Sequence, residues 1–254
     1  MSLNEELIQI RELTLASIKS RYRKTWAGFI WVILNPLLMF GVQSLVFKKF
    51  LKLDLPDYFL FLIGGLLPWI FLTTTIQMGT PVFVNLSQLL RSFKINPMVI
   101  LSSQVLDGFL NFIASFILIL LPLYLLSDRS FLSLLLIPIA LVPLFLGSLG
   151  ITITLSILNV FFRDLNFVMG FIFNLLFFLT PVFYPKEFVP HEYQWMINFN
   201  PINYLIDPFR SVIYQNDIGI FFIAVLKGMA VAIGFISLSF YTWRRRRNEF
   251  YRIL

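Results

Sequence analysis

At 254 residues, with 58% of them apolar, 17% aromatic and 13% charged and a mean hydropathy of +0.83, the chain cannot be an ordinary water-soluble globule. Its twenty Lys and Arg against thirteen Asp and Glu give a net charge of +7, which in a soluble protein would point to nucleic acid but here follows membrane topology. The absence of Cys excludes disulfides, thiolate metal sites and Cys nucleophiles.

Apolar stretches of about twenty residues recur along the chain, the length a helix needs to cross roughly 30 Å of hydrocarbon. The alternating pattern that a membrane barrel requires is missing. The sequence therefore reads as an all-α polytopic membrane protein, a single domain over 1–254.

Residues 1–26 come first, with Glu5, Gln9, Glu12, Ala16, Lys19 and Arg23 on one helical face and Leu3, Leu7, Ile10, Thr14, Ile18 and Tyr22 on another. This predicts an amphipathic helix lying along the membrane interface; a mere anchor fits the same pattern. Glu5, Glu6 and Glu12 precede any long apolar run, which argues against a cleaved signal peptide.

Six spans follow, at 27–47, 58–78, 99–126, 131–157, 167–184 and 219–243. The third and fourth exceed a perpendicular crossing and are expected to tilt, with kinks at Pro122, Pro138 and Pro143. An even number of spans puts both termini on one side. Thirteen of the twenty basic residues, including Arg244 to Arg247, then fall on the side of the termini, so the positive-inside rule makes that side cytoplasmic.

Between the second and third spans, 85–97 carries Leu86, Leu89, Leu90 and Phe93 at helical spacing beside Arg91, Lys94 and Asn96. A short amphipathic helix of this kind suits docking into a partner's groove, and equally suits a loop helix packed on its own spans. On the third span Ser103, Asp107, Asn111 and Ser115 recur every four residues, and an acidic group at that depth must face protein or water. Small and weakly polar residues recur at Thr73, Gln77 and Thr80, at Ser148, Thr152 and Ser156, at Asn166, Gly170 and Asn174, and at Ala224, Gly228 and Ala232, as helix packing requires. Residues 186–217 mix charges with Trp195, Tyr204 and other aromatics, broken by Pro190, Pro201 and Pro208, so short re-entrant or interfacial helices are expected on the outer face.

Catalytic signatures are missing from the sequence. It has no Gly-Lys dipeptide and hence no Walker phosphate loop, and His191-Glu192-Tyr193-Gln194-Trp195 lacks the second His of a zinc-protease helix. No metal site and no cofactor is expected in this chain.

The entry segment Arg21-Tyr22-Arg23-Lys24-Thr25-Trp26-Ala27-Gly28-Phe29-Ile30-Trp31, running to Asn35-Pro36-Leu37-Leu38, resembles that of the permease subunits of ABC-2 type polysaccharide exporters, which export O-antigen, capsular polysaccharide or teichoic acid. Phe162-Arg163-Asp164-Leu165, Thr180-Pro181-Val182-Phe183-Tyr184-Pro185, Asn200-Pro201 and Phe209-Arg210 match further along, in family order. Ala27 stands where the family usually has Leu, and Ile95-Asn96-Pro97-Met98, closer to the capsule type, stands where many members have an aromatic-Pro-Arg.

The resemblance implies a transport subunit rather than an enzyme. It implies a homodimer in the bacterial cytoplasmic membrane, multi-pass with both termini cytoplasmic, served by two copies of a separate ATPase subunit that holds ATP and Mg. The substrate it implies is a lipid-linked polysaccharide, with membrane lipids as surroundings and no nucleic acid. Leu86 to Asn96 would be the coupling helix, residues 1–26 the interface helix and 186–217 the extracytoplasmic gate.

A polymer channel favours aromatic walls on which sugar faces slide. Phe173, Phe177, Phe183 and Tyr184 are the lining candidates on that ground, with Asp107, Asn111, Trp195 and Tyr204 as further channel or gate candidates. Lipid-facing bulk accounts for a Phe-rich sequence as well. Export of a lipid or drug, an enzyme acting on lipid-linked sugars through Asp107 or Glu192, and a scaffold remain as alternatives.

Overall fold

The computed structural model describes residues 3–22, 26–50, 52, 55–92, 96–125 and 131–253. Among these no strand occurs. Four helical stretches are long and apolar enough to cross a membrane: Tyr58–Asn85, Pro97–Leu125, Ser133–Phe161 and Ile218–Ile253.

In chain order, α1 is Leu3–Tyr22, α2 is Trp26–Ser44 and continues as a π turn, and α3 is Tyr58–Gly79. Short helices α4 (Val82–Asn85) and α5 (Ser87–Ser92) lead into α6 (Pro97–Leu125). A 3-10 stretch precedes α7 (Ile137–Phe161), α8 is Leu165–Leu179, and α9 (Gln194–Asn198) and α10 (Pro201–Arg210) form the hairpin before α11 (Ile218–Ile253).

Proline marks the joints. Pro138 and Pro201 sit in the first turns of α7 and α10, where a missing N–H costs nothing. The fifth apolar run was expected to continue to 184, but α8 stops at Leu179, because Pro181 has no N–H to give and Thr180 turns extended. The last helix instead runs past its expected end at 243 to Ile253. Its arginines end the apolar run without breaking the helix, since Arg is a good helix former.

α3 is buried on nearly every side and forms the hub, with α6, α7, α10 and α2 around it. α7 and α11 make the most extensive helix pair, and Gly150 sets their distance: a Cβ there would stand 2.6 Å from the Phe235 carbonyl carbon. Gly228 does the same for α11 and α10, where a Cβ would lie 2.7 Å from the Tyr204 carbonyl oxygen. Ala224, Gly228 and Ala232 are all buried, as the small-residue spacing predicts. Gly150→Leu is expected to force α7 and α11 apart at a cost of about 1–3 kcal/mol or more; a lowered thermal midpoint of the purified chain measures it.

Contacts sort the molecule into two ends. At one, Thr14 Oγ1 of α1 lies within hydrogen-bond reach of the Ile10 carbonyl of its own helix and of the Ser103 carbonyl of α6, and Leu13 packs against the cluster that holds Phe83 and Phe250. At the other, Tyr58 Oη donates to the Phe183 carbonyl at 3.0 Å and Tyr124 bonds Ser133. The face of α1 that packs is largely the expected one, with Thr14 buried and Ile10 and Ile18 half-buried; Leu7 is exposed and Leu13, beside that face, packs on the body instead. Side chains three and four apart must meet the actual neighbour, and α6 presents a backbone carbonyl there.

Candidate coupling segment and polar cavities

Among the described residues of 85–97 stands one short helix, α5, set off from α4 by a break at Leu86. Leu86 ends α4, its N–H closing on the Val82 carbonyl, and α5 takes up from Ser87. α5 has no buried residue, with Leu89 and Arg91 exposed and Leu90 half-buried. Leu86 is exposed too, and Asn96 Nδ2 donates to Glu6 Oε1 of α1 at 2.8 Å, so the segment is stitched to the N-terminal helix. Phe93 and Lys94 lie outside the described residues, as do Arg23, Lys24 and Arg129.

The polar face of α6 divides in two. Ser103 belongs to the α1 dock, whereas Asp107, Asn111 and Ser115 line a cavity of about 280 Å³ between α2, α3 and α6. Gln104, Thr74 and Thr75 share it, and Gly108 lets Thr75 approach, since a Cβ there would stand 2.9 Å from Thr75 Oγ1. Asp107 is only 4% exposed and is held among partners rather than against lipid. Thr73 and Thr80, which the spacing singled out, instead return their hydroxyls to the Trp69 and Ile76 carbonyls of their own helix. Glu192 is exposed on a 3-10 turn and does not line the Asp107 cavity, so the two acids share no site.

The aromatic candidates are also split. Phe177 and Phe183 stack edge to face at 4.4 Å, joined by Trp69 and Phe47, and Phe173 and Phe183 are enclosed within this chain. Tyr184 and Tyr204 are half-buried, with Tyr184 Oη donating to the Phe178 carbonyl and Tyr204 Oη to the Asn198 carbonyl. Trp195 is exposed beside Phe199 and walls an apolar groove between α8 and the α9–α10 hairpin.

The sequence reading missed a charged cluster on α10. Asn203, Asp207 and Arg210 recur at helical spacing on one face, the signal that could have found them. They line a cavity of about 200 Å³ with Lys186, Glu187, Tyr204 and Lys227. Asn203 Nδ2 donates to Asp207 Oδ2 at 3.1 Å. Arg210 donates to the Pro181 carbonyl, lies 4.8 Å over the Phe61 ring, and covers Gly65, where a Cβ would stand 2.6 Å from its Nη2. Burial pushes the Asp207 carboxyl above the ordinary carboxylate range, opposed by Arg210, and lowers Arg210 to about 10, opposed by Asp207. Among the described residues, no group of acidic, His or Cys side chains is placed to hold a metal.

A bundle of long apolar helices with polar cavities between them and short amphipathic pieces at its ends is a multi-pass membrane protein. The chain belongs to the ABC-2 type transporter family, which residues 8–214 match. It is 29% identical over 230 residues to an O-antigen export system permease protein of Klebsiella pneumoniae, covering 90% of this chain and 89% of that one. An O-antigen export system permease protein of Myxococcus xanthus is 30% identical over 225 residues, covering 84% of this chain and 85% of its own. A polysialic acid transport protein of Escherichia coli is 23% identical over 217 residues, 81% of either chain.

Proposed function

We propose that this chain is the membrane-spanning subunit of an ATP-driven exporter that moves a lipid-linked polysaccharide across the cytoplasmic membrane. The observation that carries the reading is its end-to-end likeness to permeases named for O-antigen export and polysialic acid transport. Nucleotide hydrolysis then belongs to a separate ATPase, engaged through the exposed face of α5 with Leu86, Leu89 and Arg91. Six spans, α2, α3, α6, α7, α8 and α11, place both termini in the cytoplasm, and the α9–α10 hairpin enters from the outer side.

A homodimer accords with α8. Of its stripe of Asn166, Gly170 and Asn174, Asn174 is exposed and a Cβ at Gly170 would meet nothing within 4 Å, while Asn166 is half-buried. An amide facing lipid is costly, and a second copy supplies it with a partner. Because the chain has no Cys, Asn174→Cys or Gly170→Cys is expected to give a disulfide-linked dimer in oxidised membranes; monomer only, at both positions, contradicts this interface.

Removing the chain from its host is expected to leave the polymer on its lipid carrier inside the cell. Surface polymer at the native level in its absence would overturn the reading.

A further inference from the structure

α11 has 36 residues and is therefore about 54 Å long, well beyond roughly 30 Å of hydrocarbon. The family match stops at residue 214, so this helix lies outside it. Arg244 to Arg247 mark where α11 leaves the apolar medium, yet the helix continues and turns a large ring inward. Phe250 is 0% exposed. It meets Phe83 of α4 edge to face at 5.2 Å and Trp243 at 5.3 Å, in a cluster with Val82, Leu101 and Ile157. Arg246 lies 5.3 Å over Phe161 at the end of α7 and pairs with Glu249 at 2.6 Å, and Arg91 Nη2 of α5 reaches the Ile253 carbonyl at 3.5 Å.

α5 has no buried residue of its own. A six-residue helix without a buried residue depends for its position on its half-buried Leu90 and on what anchors the residues on either side. On one side the anchors are Val82 and Phe83 of α4, which belong to the cluster that Phe250 fills and against which Leu90 packs, and on the other Asn96, which bonds Glu6 of α1. α11 in turn packs along α7 and α10.

We propose that the last turns of α11, through Phe250, are the seat of the coupling segment, so that a displacement of α5 is carried into α11 and along it to the hairpin around Arg210. Phe250 is a positioning residue in this scheme. The transmission rests on the reading of α5 as the ATPase contact; the seat itself does not.

The test uses the full-length chain with a spin label on Gln88→Cys, the sole cysteine, in native, Phe250→Leu and Phe250→Ala backgrounds. Label motion is expected to rise in that order. Motion equal in all three overturns the seat, and if Phe250→Ala does not accumulate, Leu against native decides. In the complex with its ATPase, polymer exported per ATP hydrolysed is expected to fall about tenfold in Phe250→Ala and far less in Phe250→Leu, at unchanged ATPase stoichiometry. A raised label motion with unchanged export per ATP overturns the transmission. Failure of the native chain to hold any ATPase is a separate result, against the reading of α5.

Discussion

Replacing Leu89 and Arg91 together by Glu is expected to release the ATPase from the permease while leaving the permease folded. Both side chains are exposed on α5, so neither substitution opens a cavity in this chain. At a docked interface an apolar anchor and an Arg are each worth about 2 kcal/mol or more, and reversing the charge adds repulsion wherever the partner is acidic. The double variant should therefore bind its ATPase at least roughly a hundredfold more weakly. Pull-down from membranes at graded ATPase levels measures this, with the thermal midpoint as the folding control. Undiminished capture would remove α5 from the interface.

Arg210→Ala is expected to be the most damaging single change around α10. The guanidinium ties α10 to the Pro181 turn, stacks on Phe61 and fills the space over Gly65. Its removal takes away the largest of the charges that oppose the effect of burial on Asp207, with Lys186 and Lys227 still in place, and forfeits a charged hydrogen bond and a ring contact together worth about 2–4 kcal/mol. Asp207→Asn should cost much less, because burial already favours the neutral carboxyl and an amide keeps its volume. Thermal midpoints of the two variants, alongside proteolysis of the hairpin, give the order; Asp207→Asn as damaging as Arg210→Ala would contradict it.

The apolar runs that became α3, α6, α7 and α11 were legible because bilayer thickness sets both length and composition together. Where chain and solvent compete more evenly, the sequence was less clear. The end of α8 depends on Pro181, which an apolar window does not register. The break between α4 and α5 follows from the turn at Leu86, whose apolar side chain gives no sign of it.

For the candidate sites, a four-residue spacing located the polar face of α6 but not which of its members faces the cavity. That was decided by α1 docking on Ser103. Asn203 and Asp207 were hidden in a segment rich in prolines and aromatics, Arg210 stood out there only as part of a motif, and Phe250 was hidden behind four arginines read as the end of a span. Its burial is a long-range contact with Phe83, invisible to any local pattern.

The central claim, that this permease works with a separate ATPase, is tested most directly by cross-linking intact membranes of its host, extracting the tagged chain in mild detergent and assaying what comes with it. A stoichiometric ATPase subunit, with the pair hydrolysing ATP, is the predicted result. A stable chain recovered alone, without ATPase after cross-linking as well as before it, would contradict the account.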